Sequence, residues 1–202
     1  MLRLVMSAAL AAVLCVGSQG AFASPASELR QKIASYQDLS AEFTQKVVSP
    51  ESPGRVLATS SGKLYLKKPK SFLMHTVQPD DTKLFTRPDG IYFLDGFMGQ
   101  LNIYSLDRIN DQPFALLYSS DEGVWSRYGV KLEGGSYVLT PKKVETIKSV
   151  ELKFSGDKIS QITLNMTDGN VNTYTLSNVS QGVPDSVFDV KIPQGTEIND
   201  ER

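Results

Sequence analysis

Between Leu39 and Val179 apolar and polar residues alternate in short runs, and small turn-forming residues interrupt them at close intervals. A period of two belongs to a β-strand with one buried face, whereas an amphipathic helix needs a period near 3.6. The run LSAEFTQKV places Leu39, Ala41, Phe43 and Val47 on one side. After it, GKLYLKK, SFLMHTV, TKLFTR, GIYFLD, QLNIYSL, VKLE, SYVLTPK, SVELKF, ISQITLNMT and NTYTLSNV each read as a strand. Asp89-Gly90, Gly134-Gly135, Gly156-Asp157 and Asp168-Gly169 supply hairpin turns, because these residues tolerate positive φ. Strands linked in this way predict one large, curved antiparallel sheet whose apolar face has to close on itself or be covered.

Two stretches are available as a cover. Ser24-Pro25 suits an N-cap and first helical position, Glu28 favours the helix start, and Leu29, Ile33 and Tyr36 recur at helical spacing. The second stretch is NDQPFALLYSS, residues 110–120, in which Asp111 caps, Pro113 opens the first turn, and Phe114, Leu117 and Tyr118 lie three and four apart. A helix this short persists in water only when packed on something else, so it is the kind of element that opens easily and serves as a lid.

One position breaks the apolar pattern. In GKLYLKKPK, Leu64, Leu66 and Lys68 point one way, while Lys63, Tyr65 and Lys67 point the other. Pro69 cannot donate to a sheet ladder and marks a strand end, an edge or a bulge. Lys67 and Lys70 read as a solvated strand end, but Lys68 places a charge on the apolar face.

Residues 1–23 carry Arg3, an apolar run and Ala21-Phe22-Ala23 before Ser24, the pattern of a cleaved secretory signal peptide. A single domain over 24–202 is expected after it. Cys15 is the only cysteine and lies inside this leader, so the mature chain has no thiol, and the lipidation context of an anchored protein is missing. Removing the leader takes away one arginine and no acid, so the net charge of −1 becomes −2, which argues against nucleic acid as partner. No second stretch is long enough to span a membrane as a helix.

Chemistry has few candidates. His75 is the only histidine and stands in a strand, so neither a Ser-His-Asp site nor a histidine-rich metal site can be assembled around a second one. Phosphate-loop, dinucleotide, nucleophile-elbow and zinc-protease motifs are absent from the sequence. No enzyme activity, cofactor or metal is expected. A broad curved sheet does offer a larger apolar face than two short helices readily fill, and such cavities hold ligands.

The order of F-T-Q, K-x-P-x-x-F, Q-P-D, P-F-x-L, L-T-P-K and P-x-G along the chain resembles the periplasmic outer-membrane lipoprotein carrier family, LolA. The similarity runs from about Leu29 to Arg202. The resemblance implies a mainly β fold with few helices: an unclosed, strongly curved antiparallel half-barrel with helices as a lid over an apolar cavity. It implies a monomeric, non-enzymatic periplasmic chaperone. Such a protein accepts triacylated lipoproteins from an inner-membrane ATP-driven release transporter and delivers them to an outer-membrane lipoprotein receptor, without stable insertion in either membrane.

Carried onto this sequence, the resemblance makes Phe72 and Phe114 acyl-chain contacts. Met74 stands where relatives can have tryptophan and gives a softer wall. Leu64 and Leu66 on the sheet and Leu116 and Leu117 on the lid complete the expected cavity lining. The position of Lys68 is typically arginine in the family and binds lid carbonyls. Lysine lacks the planar fork, so a looser latch onto the helix around Ile33 and the helix from Phe114 to Tyr118 is expected. The competing readings are a receptor of the same fold, a sensor or scaffold that binds a protein segment, and an esterase.

Overall fold

The computed structural model describes residues 23–51, 54–106, 115–118 and 122–202. Residues 1–22 of the expected leader, and Phe114, expected on the lid, lie outside the described residues. Helix α1 (Pro25–Ala34) leads into strands β1 (Asp38–Val48), β2 (Val56–Lys67), β3 (Ser71–Gln78), β4 (Thr82–Arg87), β5 (Gly90–Asp95) and β6 (Gln100–Tyr104). Two four-residue helices, α2 (Ala115–Tyr118) and α3 (Glu122–Trp125), precede β7 (Tyr128–Glu133), β8 (Ser136–Pro141), β9 (Ile147–Ser155), β10 (Lys158–Met166) and β11 (Val171–Ser180). A 3-10 turn (Asp185–Phe188) and β12 (Glu197–Asp200) follow.

All twelve strands form one sheet in the order β12-β6-β5-β4-β3-β2-β1-β11-β10-β9-β8-β7. It consists of two hairpin meanders, β1 to β6 and β7 to β11, zipped together where β1 pairs antiparallel with β11. Phe43 lies opposite Leu176 in that register, and its ring meets Tyr174 edge-on at 5.9 Å. The hairpin turns fall where the sequence places them. Gly134 and Gly135, at φ +55° and +79°, give the β7–β8 turn two consecutive left-handed residues, which matches the twist of the flanking strands.

Two features depart from the expected architecture. Strand β12 runs parallel to β6, with Glu197 opposite Gln100, so the sheet is not wholly antiparallel. The chain leaves β11, crosses one face of the sheet through the 3-10 turn, and arrives beside the start of β6, where the Glu197 N–H donates to the Gly99 carbonyl at 2.9 Å. A four-residue E-I-N-D strand carries no alternating signature by which sequence could have found it. The second feature is that the sheet buries apolar residues on both faces, where one covered face was expected.

On the helix-covered face, Leu39, Ala41, Phe43, Leu64, Leu66 and Phe72 join Ile162, Leu164 and Leu152 beneath α1, α2 and α3. On the opposite face, Leu73, Phe85, Tyr92, Leu94, Leu101 and Ile103 pack against Val190, with Tyr65, Val187, Phe188 and Ile192 around them. Lys67, expected to be solvated, is a clip for this second layer: its ammonium donates to Asp185 at 2.5 Å and to the Val183 carbonyl at 3.3 Å. Alternation along β2 therefore sorts its side chains between the two layers, as its period requires.

Helix α1 begins as its sequence predicts. Ser24 Oγ accepts from the Ser27 N–H at 3.2 Å, and Pro25 occupies the first turn, where its missing N–H costs nothing. Leu29 and Ile33 turn to the sheet, and Tyr36 is buried just past the helix end. Among the described residues no helix is long and apolar enough to cross a membrane.

Candidate functional site

The site lies where the end of β2 meets the C-terminal turn of α1. Leu66 closes the sheet side, Ile33 and Tyr36 the α1 side, Leu117 and Tyr118 the α2 side, and Ile159 the base. Among the described residues, Lys68 is the one cation in this lining. Its half-buried ammonium donates to the Ile33 carbonyl at 2.9 Å, which also accepts from the Tyr36 N–H at 3.3 Å, and to the Ala34 carbonyl at 3.4 Å, both at the negative end of α1. Burial lowers its pKa below the usual 10.5, because removing water disfavours the charged form.

The sequence-derived lining is brought together almost completely. Leu64, Leu66, Phe72, Leu116, Leu117 and Ile33 are all buried in one apolar cluster, and Met74 packs against it half-buried. Phe72 meets the Tyr118 ring at 6.0 Å, linking β3 to α2 directly. The Tyr118 hydroxyl is buried with it, and this burial pushes its pKa above the usual tyrosine value. The expected latch of Lys68 onto two helices has a simpler form among the described residues: hydrogen bonds to α1 and apolar proximity to α2.

The two parts of the lid are held differently. Tyr36, just beyond α1, donates from its hydroxyl to the Asp157 carbonyl and accepts from the Ile159 N–H at 3.1 Å. Lys32 faces Asp157 at 3.5 Å and lies 5.5 Å over the Phe154 ring, and Glu28 hydrogen-bonds Tyr137. Helix α1 is thus tied to β8, β9 and β10 by directional contacts. Helices α2 and α3 bury Leu116, Leu117, Tyr118, Val124 and Trp125. Their link to α1 is the Arg30–Glu122 pair at 3.0 Å, with the Arg30 guanidinium 5.7 Å over Trp125.

Sequence reading missed Arg30, Val124 and Trp125. Trp125 is the only tryptophan of the chain and follows an apolar neighbour, a signal that was available. Arg30 and Glu122 are 92 residues apart, and nothing local announces such a pair.

Among the described residues, the free volume in the niche beside Lys68 is about 10 Å³, roughly enough for one water and far below the ~300–1,000 Å³ of an occupied ligand pocket. At this niche a bulky apolar ligand enters only when the side chains of α1, α2 and β2 that line it move apart. A larger cleft of about 510 Å³ lies apart from it, lined by Arg127, Lys142, Lys143 and Glu145 among others. Its charged walls do not suit hydrocarbon. His75 lies outside both, its Nε2 at 2.7 Å from Asp81, and among the described residues no cluster of three metal-binding side chains occurs.

Residues 34–191 match the family model of the outer membrane lipoprotein carrier protein LolA. The outer-membrane lipoprotein carrier protein of Haemophilus influenzae is 34% identical over 186 residues, covering 90% of each chain. That of Vibrio cholerae is 32% identical over 197 residues, covering 96% of this chain and 98% of the relative. A crystal structure of an uncharacterized conserved protein from Thermus thermophilus shares the fold with a TM-score of 0.56 at 9% identity, over 86% of this chain and 98% of that one. A mainly β, unclosed sheet with a few short helices over an apolar seam is the architecture those matches lead to, and this chain belongs to the outer-membrane lipoprotein carrier family.

Proposed function

We propose that residues 1–23 are a cleaved leader and that residues 24–202 work in the periplasm as a single carrier domain for acylated lipoproteins. The carrier accepts triacylated lipoproteins from an ATP-driven transporter in the inner membrane, shields their acyl chains between the sheet and the helices, and passes them to a receptor at the outer membrane. Each methylene hidden from water is worth about 0.8 kcal/mol, so a multiply acylated protein does not cross an aqueous space unaided at a useful rate. It has no catalytic role.

The observation that carries this reading is a continuous apolar cluster between the sheet and the helices, in which Leu116, Leu117, Tyr118, Val124 and Trp125 cover Leu64, Leu66 and Phe72. Burial of the α2 and α3 side chains depends on Leu116, Leu117 and Trp125 staying on the sheet. Incoming chains replace those contacts with equivalent ones, so the site opens without exposing net apolar area. Leu64, Leu66, Phe72 and Met74 then line the sheet side, while Leu116 and Leu117, with Phe114, line the lid. Lys68 acts as the latch that holds the end of α1 while the seam is empty. Lysine gives it separate donors where a guanidinium fork would grip several carbonyls at once.

The test incubates the mature protein with inner-membrane vesicles bearing radiolabelled lipoproteins and ATP, then sediments the membranes. Label in the supernatant that requires both protein and ATP supports the carrier. No release from vesicles that respond to a known carrier overturns it and favours a scaffold binding a protein segment. If Lys68→Leu loads and delivers as well as the parent, the latch role fails while the carrier role stands.

A further inference from the structure

Phe97 is the most exposed of the large apolar residues among the described part of the chain, at 80%, and its neighbour Met98 is 60% exposed. Both sit in the turn Gly96–Gly99 between β5 and β6, at the opposite end of the strands from Lys68. A solvent-filled turn has no need of such residues, and this one is firmly built. The Asp95 carboxylate accepts from the Phe97 N–H at 3.0 Å and from the Met98 N–H at 2.8 Å. The Gly96 N–H donates to the Asp81 carbonyl at 2.8 Å, locking the turn to its β3–β4 neighbour. A Cβ on Gly96 would stand 2.8 Å from that same oxygen, so the close approach requires glycine. Val77, 50% exposed, precedes the neighbouring turn.

We infer that the Gly96–Gly99 turn is a docking knob for a protein partner that presents an apolar socket rimmed by arginine or lysine. An exposed aromatic beside a methionine is the composition of interface anchors. Because the backbone is already fixed, docking loses little ordering entropy. The rim follows from charge: Asp95 caps the turn, exposed Asp80 precedes Asp81, whose carbonyl the turn bonds, and the Glu197 N–H bonds Gly99, while Lys83 and His75 both pair with the Asp81 carboxylate. The same acids disfavour a membrane surface, where basic residues accompany inserted apolar side chains. This knob is separate from the acyl-chain seam and stands whether or not acyl chains are carried.

A photo-crosslinking amino acid placed at position 97 of the full chain, in living cells, tests it, with the same group at Leu132 as control. The expected result is one discrete protein adduct at 97 that is absent at 132. Its crosslinked peptide should map to apolar residues flanked by arginine or lysine. With that partner purified, Phe97→Ser and Asp80→Lys should each weaken binding by about tenfold or more. The Asp80→Lys variant should also lose part of the salt dependence. Both positions are exposed, so circular dichroism should show unchanged folding. Adducts only with lipid, only with a second copy of this chain, with a partner site lacking the basic rim, or no adduct at all would overturn the inference.

Discussion

The two covers of the sheet bury similar side chains by different means. On one face, the segment from Val183 to Ile192 lies over Phe85, Tyr92 and Leu101 and is clipped by ionic and hydrogen-bonded contacts. Arg87 donates to the Val190 carbonyl at 2.8 Å and stacks 4.9 Å over Tyr92, Lys67 holds Asp185, and Asp38 accepts from the Gly182 and Val183 N–H groups at 2.6 and 3.2 Å. On the other face, α2 and α3 bury Leu116, Leu117, Tyr118, Val124 and Trp125 in the cluster with Phe72 and Leu66, and the Tyr118 ring meets Phe72 at 6.0 Å. Apolar contact is non-directional, and a ligand of the same character can replace it, whereas a set of clips must be broken one by one. The clipped layer is built as permanent core, and the other is the cover that the proposed function has exchange with acyl chains.

The largest expected effect falls on the clipped layer. Phe85→Ala should cost about 3–5 kcal/mol in denaturant unfolding, because Phe85 is 1% exposed and its neighbours are fixed on both sides. The fraction of folded protein that binds an apolar dye in the seam should not change. An increase in dye binding per folded molecule would show that the two layers are coupled.

Leu117→Ala, on the proposed exchangeable cover, should cost about 2 kcal/mol, the low end of the range for such truncations, if the neighbouring side chains settle into the space. It should raise dye binding at the same time. A cost equal to that of Phe85→Ala with no gain in dye binding would mean that α2 is ordinary core.

Arg87→Met should cost about 1 kcal/mol by removing the donor to Val190 and the cation over the rings. Hydrogen exchange should speed up across residues 183–192 and stay unchanged across α2. Faster exchange in α2 as well would break the distinction between the covers.

The smallest effect is the pH response of the latch. Burial lowers the Lys68 pKa when the seam is closed, and hydration returns it towards 10.5 when the seam opens. Below the lowered value both forms are protonated and the closed form carries the full cost of the buried charge. Between that value and 10.5 the open form holds more protons, so raising the pH through this window favours closure. Dye binding should fall as the pH rises from neutral to about 9, and Lys68→Arg, charged throughout, should abolish the fall. That range stays below the one where Tyr36 and Tyr118, whose pKa values burial raises in the closed form, ionise in the open form and favour opening. A response that persists in Lys68→Arg would assign it to another group.

Much of this was legible in the residues. The strands β4 and β5 coincide with the runs TKLFTR and GIYFLD, the hairpins turn at the glycine-bearing pairs, and α1 starts at the Ser24 cap. Each is a local property, since a two-residue period, a cap or a left-handed turn is decided within a few positions. The face of Lys68 was readable for the same reason, because it follows from counting along β2. Period alone also placed Tyr65 and Lys67 opposite Leu64 and Leu66.

What lies on each face was decided only by the tertiary structure. Phe85, Tyr92 and Leu101 look like the stripe of Leu64 and Leu66, yet they belong under the C-terminal segment, because alternation reports that a face is buried and not what buries it. The zipping of β1 to β11, the parallel seat of β12 on β6, and the bond from Lys68 to Ile33 join residues far apart along the chain. Such contacts are chosen by the closure of the whole sheet. Short-range pattern fixed which residues are strands and which side each faces. The path of the chain in space decided which face is covered by the clipped C-terminal segment and which by the helices.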